Sequence, residues 1–431
     1  MNGPLLIFDK SALQLLSVDE SAWLDNFFES VITPLFYVET LADLEKKMRK
    51  DRTAEEEVKL IAARMPEQQA IPAVHHSTLI ASELAGFFKL DADRAKRVVP
   101  PQAQPVMLGD SRGIIYRDAP EEEALRRWQE GRFIELERNI AKQWRAALAE
   151  TDNGVLYQSF KRIYERNPKP KDLPSLKSFV DGLLSRAPRE LLLGFVLELF
   201  GVSDEVKMSA RKRWETEGKP PIQDLFPYSV HVLTVDLFFY LGIAADLISR
   251  NRASHRADIA YLYYLPLCSI FTSADKLHKG IAPLFLRSYQ MFLPGEDLKA
   301  EMKKLNEHYS NLPQEVLDRG MMNFAKFPPA DTEFLTARLW DRFDPEWREL
   351  ERNPPQLDPE MQAALLELVN RFKNESTPLH PETYIPLEEV GQLTIEKQVS
   401  TTRGKWHRYS PEVEATSKPR RIGVEDKNGK P

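Results

Sequence analysis

Apolar positions fall first in short unbroken runs and then in helical stripes. Leu5-Leu6-Ile7-Phe8 is a continuous apolar run that stops abruptly at Asp9-Lys10-Ser11, the pattern of a strand covered on both faces. A charged residue at the end of such a strand sits where open α/β sheets bind ligands. Ser17-Val18-Asp19-Glu20 has the form of a capping box, and Trp23, Leu24, Phe27, Phe28 and Val31 follow at helical spacing. Thr33 and Pro34 supply an N-cap and a proline in the first turn. They predict a second helix from Pro34 to about Arg49, striped by Leu35, Val38, Leu41 and Leu44. Glu39 and Asp43, four apart, share one face of it.

From about residue 50 to 228 the pattern changes to long charged helical segments separated by connections such as Val98-Val99-Pro100-Pro101 and Asn167-Pro168-Lys169-Pro170. Residues 121–150 read as a surface helix and 190–202 as a buried one, apolar on nearly every side. Pro105-Val106-Met107-Leu108 and Gly113-Ile114-Ile115-Tyr116 flank the turn residues Gly109-Asp110-Ser111-Arg112, which predicts a β-hairpin. Further on, residues 258–265 read as a helix stopped by Pro266. Leu267 to Phe271 then forms a second buried strand, ending in Thr272-Ser273-Ala274-Asp275-Lys276. Segments 296–310 and 359–373 read as helices, while the basic end from about Thr401 lacks a core pattern and is expected to be flexible.

Composition narrows the possibilities. With 65 acidic against 59 basic residues and a net charge of -6, the chain has no general affinity for polyanions, so a nucleic acid must meet a local basic patch or a metal. The single cysteine, Cys268, excludes an intrachain disulfide and a cysteine-based zinc site, and fits a reducing cytoplasm. The start of the chain has neither the basic residues nor the longer apolar run of a secretory signal. Residues 230–248 approach membrane-spanning length, but His231, Asp236 and Asp246 interrupt them, so a core helix and no membrane contact are expected. Phosphate-binding glycine loops and the GxSxG elbow are both missing. The adjacent His75 and His76 point to different sides and suit surface or capping roles.

What remains is carboxylate chemistry. Two buried strands each end in an aspartate, Asp9 and Asp275, and further acids lie on the neighbouring helices. Each alone reads as a turn, capping or helix-surface residue. Together they are the ingredients of an oxygen cage for a hard divalent cation, which can hold a phosphate and generate a hydroxide nucleophile.

The arrangement resembles the PIN-domain nuclease superfamily. The matching pieces are Leu6-Ile7-Phe8-Asp9-Lys10-Ser11-Ala12-Leu13, then Thr33-Pro34-Leu35-Phe36-Tyr37-Val38-Glu39-Thr40-Leu41, and finally residues 256–262 with residues 270–276. The resemblance covers residues 4–48 and 230–295 and implies a PIN-like α/β/α sandwich around a parallel sheet. It also implies single-stranded RNA as substrate, with DNA left open, and Mg²⁺ or Mn²⁺ as cofactor. Asp9, Glu39, Asp258 and Asp275 would form the metal-binding and catalytic set. Ser11 and Thr272 would be supporting or phosphate-contacting hydroxyls, and Arg256 and Lys276 phosphate contacts. The expected organisation is a discontinuous nuclease core at 1–50 and 229–295, a mainly helical insertion at 51–228, a helical extension at 296–400 and a flexible basic tail at 401–431. A non-catalytic scaffold, with the helical insertion docking a protein partner, is the alternative.

Overall fold

Leu6 and Phe8 face one side of the first strand and Ile7 the other, and all three are fully buried. That alternation is the period of a β-strand with both faces covered. It organises the computed structural model, which describes residues 3–45, 52–90, 95, 104–116, 120–150, 157–158, 160–252, 254–354, 360, 364, 367–368, 370–371, 374–378, 394–395, 399–411, 413 and 420–422.

The first seven strands are β1 (Leu5–Phe8), β2 (Glu29–Ile32), β3 (Ala70–Pro72), β4 (Gln104–Leu108), β5 (Ser111–Tyr116), β6 (Ile270–Ser273) and β7 (Met291–Pro294). Five of them form one parallel sheet in the order β3-β2-β1-β6-β7. Ile7 pairs with Val31 on one side and with Phe271 on the other. These three residues contribute to one core, under the helices Leu173–Arg186 and Pro227–Ala244. Leu6, Phe8, Ile32 and Ile270 enter the opposite core. That side is covered by α1 (Lys10–Leu15), α2 (Val18–Phe27), α4 (Ala54–Arg64) and the helix Gly295–Ser310. The result is a parallel α/β sheet with helices on both faces, as the apolar runs predict.

Chain order fixes where a ligand can sit. From β1 the chain crosses to β2 on one side, whereas β6 and β7 lie on the other, so the sheet order reverses between β1 and β6. Ligands of open α/β sheets bind in the crevice at such a reversal, beyond the carboxyl ends of the strands. Asp9 and Asp275 both lie at that edge.

Several expectations are corrected. The helical spacing read through Val31 ends at Phe27, and Val31 belongs to β2. The helix starting at Pro34, α3 (Pro34–Ala42), ends in a short 3-10 turn at Asp43–Glu45, and residues 46–50 lie outside the described residues. The stretch 121–150 is two helices, Pro120–Gln129 and Glu135–Glu150, separated at Gly131, whose φ of 72° is left-handed. The first of them buries Leu125 and Trp128. The helix Arg189–Leu199 exposes Leu191, Phe195 and Leu199 along one face. The second buried strand is displaced toward Ser273, because residues 261–267 continue the helix Ser254–Ala260 as a 3-10 turn through Pro266. The hairpin forms as expected from β4 and β5, and the helix 296–310 is present, whereas most of 359–373 lies outside the described residues.

The boundary at residue 51 also moves. β3, α4 and α5 (His76–Ala85) fall within the segment read as an insertion, yet they supply an edge strand and covering helices of the main sheet. Nor is the start of the C-terminal tail loose. Ser400–Arg403 and Trp406–His407 pair as strands, Trp406 packs edge-on against Trp23 at 4.5 Å, and Arg403 and Arg408 are buried beside Asp25. The physical reason is charge pairing, which leaves no hydrophobic period to read. Among the described residues one helix, Pro227–Ala244, is long and apolar enough to cross a membrane, and 78% of it is buried inside the protein, as suits a core helix.

Candidate active site

Asp9 ends β1 and caps α1, where its Oδ1 accepts from the Ala12 backbone N–H at 2.9 Å. Its Oδ2 accepts from the Ser273 hydroxyl at 2.7 Å and from the His278 Nδ1 at 3.2 Å. Ser11 Oγ lies 2.8 Å from both Asp9 oxygens and accepts from the Ala274 backbone N–H at 2.9 Å. This hydroxyl therefore ties the end of β1 to the end of β6. Asp275 caps the next helix, Lys276–Ile281, through the Leu277 N–H at 2.6 Å.

The other two acids arrive from opposite sides. Glu39, on α3, accepts from the Tyr261 hydroxyl at 2.7 Å, and burial raises its pKa against the opposing pull of Lys10. Asp258 sits on the helix Ser254–Ala260. Burial pushes its pKa up to about 7, His278 pulls the other way, and Glu39, Asp275 and Asp9 add to the rise. Glu39 feels Asp9 in the same sense. The four acids, scattered over 267 residues of sequence, thus share one electrostatic neighbourhood at the reversal of the sheet.

Two cations inside the cluster offset that repulsion. His278 is buried, and although burial alone would lower its pKa, the hydrogen bond and charge of Asp9 raise it to about 9. Its Nε2 donates to the Asp258 backbone carbonyl at 2.7 Å and its Nδ1 lies 2.8 Å from Ser273 Oγ. Burial works against ionisation of Asp9 too, but His278 and the hydrogen bonds hold its pKa below the ordinary value. Lys10 pairs with Asp43 at 3.0 Å and reaches the Glu39 carbonyl oxygen at 3.1 Å. Asp43, expected on a solvated face, is buried.

Two expected substrate contacts are corrected. Thr272 is fully buried, and its Oγ1 has no hydrogen-bond partner among the described residues. The hydroxyl that joins the acids is Ser273, one residue on, because successive side chains of a strand point to opposite faces. Arg256 turns away from the acids to pair with Asp236 at 2.8 Å. Lys276 is exposed at the start of its helix, while Lys279 pairs with Glu296 at 2.7 Å. His75 has the capping role expected of it, accepting from the Ser77 N–H at 3.3 Å, but its ring lies 4.2 Å from that of His76, so the two do not point to different sides. Sequence reasoning missed His278, Tyr261 and Ser273. Only Ser273 left a signal, since it stands two residues from Asp275 as Ser11 does from Asp9.

The donor set suits Mg²⁺ or Mn²⁺, which take carboxylate oxygens. Repulsion strong enough to help keep Asp258 protonated near neutrality is what a divalent cation relieves. Among the described residues no three acids or histidines form a ready-made metal-holding group. Asp9, Glu39 and Asp275 each already accept an internal hydrogen bond.

These ionisations set a pH dependence. Glu83 is buried and accepts from the Tyr228 and Ser229 backbone N–H groups at 2.8 and 2.7 Å, yet burial raises its pKa to about 7. Glu83 and Asp258 hold protons in the fold that the unfolded chain releases at lower pH, so their contribution falls as pH rises from about 4 to about 7. His278 extends the decline, because its contribution is complete below the unfolded value and is lost as pH rises through about 9. Urea unfolding in chelator should therefore show greater stability at pH 7 than at pH 8.5, above the range in which His76 and His231, held to about 3 and about 4, act in the opposite sense, and the reverse order would contradict these ionisation states.

No family model matches the chain, and neither a curated protein nor a solved structure matches it.

Proposed function

We propose that this chain is a metal-dependent phosphodiesterase acting on nucleic acid, an endoribonuclease of PIN-like type that cleaves single-stranded RNA. The observation that carries the reading is the placement of Asp9, Glu39, Asp258 and Asp275 around the sheet reversal, where burial first, and then the charges of Glu39, Asp275 and Asp9, raise the Asp258 pKa to about 7. Asp9, Glu39, Asp258 and Asp275 would hold Mg²⁺ or Mn²⁺, and such a cation supplies Lewis acidity and a water activated at neutral pH. Ser11 and Ser273 fix the Asp9 carboxylate between the two strand ends. Tyr261 orients Glu39 by donating its hydroxyl proton. His278 keeps Asp9 ionised, and Asp258, with a pKa raised to about 7, would hold a cation in its deprotonated form.

A second reading, a non-catalytic scaffold with a PIN-like core, draws on the same His278 and Lys10, which already offset part of the acids' charge from within. Incubation with single-stranded RNA, single-stranded DNA and duplexes, in Mn²⁺, Mg²⁺ or chelator, separates the two. Cleavage of the single strand with Mn²⁺ that stops in chelator is expected. Absence of cleavage with either metal would favour the scaffold.

A further inference from the structure

The helix Ser254–Ala260 brings Asp258 to the acids and turns Arg256 to a group of rings that the proposed chemistry leaves unused. The Arg256 guanidinium, held by Asp236, lies 5.9 Å from the Phe239 ring centre and 5.6 Å from those of Tyr240 and Tyr263. On one side His76 packs on Tyr263 at 4.8 Å and His75 on His76 at 4.2 Å. On the other, Tyr240 stacks on Phe160 at 5.3 Å with the rings 15° from parallel. Beyond it Arg250 and Lys161 flank the Tyr157 ring at 5.2 and 5.6 Å.

Rings thus lie on both sides of Arg256 along one track, with Arg250 and Lys161 at its far end. Its deep members, Phe239 and Tyr263, are buried, but His75 is exposed and His76, Tyr240, Phe160 and Tyr157 are partly so. Arg250 and Lys161 are exposed, a local basic patch on a chain whose net charge is -6. Both histidines are held below their ordinary pKa by burial, His76 at about 3, so they offer neutral rings. The track also lies at the sheet edge that carries the acids, since His75 follows β3 closely and Asp258 is two residues from Arg256. A helix diameter of about 10 Å separates the two sides of that helix.

We propose that this track binds an unpaired nucleic-acid strand, whose bases stack on the His75–His76 and Tyr240–Phe160 rings while Arg250 and Lys161 meet its phosphates. Aromatic rings interleaved with cations bind single strands by stacking plus charge, because unpaired bases expose the faces that a duplex keeps stacked. The assignment rests on the nuclease reading for its choice of polymer and deepens it by naming the surface, outside the four acids, that holds the strand.

Fluorescence anisotropy of a labelled oligoadenylate, in chelator so that nothing is cut, tests it on the full chain. The wild type should bind the single strand at least about tenfold more tightly than the adenylate–uridylate duplex. Tyr240→Ala should weaken single-strand binding about tenfold, and Tyr240→Phe, which keeps the ring, should not. The double variant His75→Ala/Tyr157→Ala alters less buried rings and should lose affinity by a similar factor with its circular dichroism unchanged. Wild-type affinity in both the Tyr240→Ala and the double variant, or a duplex bound as tightly as the single strand, would overturn the proposal. Ring-dependent binding by a protein that cleaves nothing supports the track and removes the nuclease. Cleavage with an unaltered KM in both variants removes the track and leaves the nuclease.

Discussion

Asp25→Ala should leave the protein largely unfolded or melting far below the wild type. Asp25 is wholly buried, its Oδ1 accepts from the Glu67 and Gln68 backbone N–H groups at 2.9 Å each, and its Oδ2 accepts from Arg408. Arg403 stands 3.4 Å away and is equally buried. Burial works against ionisation of Asp25, and the two guanidinium groups more than offset it, so its pKa is lowered. Without this carboxylate the two guanidinium groups share, among the described residues, only Glu67 as a counter-charge, at 3.6 and 3.9 Å. Removing one partner of a buried ion pair costs roughly 3–5 kcal/mol, because the remaining charge is left uncompensated away from water. Typical domains are stable by about 5–15 kcal/mol, so this one change consumes a large share. The consequence reaches the site, because α2 carries Asp25 and packs on the sheet face beneath Asp9. A wild-type melting temperature for Asp25→Ala would show that the segment 400–409 is not clamped as described.

The second large effect is expected at Asp258. Its side chain makes no hydrogen bond to a described residue, and burial among three other acids raises its pKa to about 7. Asp258→Asn keeps the shape and removes the charge, so above pH 7 it should stabilise the fold, on the order of 2 kcal/mol by relief of burial and repulsion. Cleavage should fall by more than about a hundredfold, since even partners behind a metal's direct ligands contribute roughly 10–100-fold. Gain of stability with loss of activity is a combination that a structural role cannot produce. Asp9→Asn is the less informative change. It leaves the buried His278 imidazolium without its counter-charge, so lost activity would be mixed with lost stability.

The central strands were legible because Leu5–Phe8 and the run ending at Phe271 are apolar without interruption, and burial on both faces demands that. Asp9 and Asp275 followed from the ends of those runs, while Glu39, which the Thr33-Pro34 cap places on α3, was singled out through the resemblance. Asp258 has no such local mark, and its place depended on the resemblance. β3 was hidden because Ala70-Ile71-Pro72 is too short to show a period and carries a proline acceptable only toward a sheet edge. Thr272 was chosen over Ser273 because the displaced strand changes which of two neighbouring hydroxyls faces the acids. Arg403 and Arg408 read as solvated because charge in a stretch without apolar spacing usually is. Only the tertiary meeting with Asp25 and Glu67 buries them. His278 shares that logic, being a polar residue of an ordinary helix turn until the fold sets it against Asp9.

The most direct measurement compares wild type and Asp258→Asn in Mn²⁺-dependent cleavage of single-stranded RNA at pH 8, with thermal unfolding of the same samples in chelator. A variant that melts at or above the wild-type temperature and cleaves more than about a hundredfold more slowly is the predicted result. Wild-type cleavage by Asp258→Asn would contradict the assignment of these four acids to the chemistry.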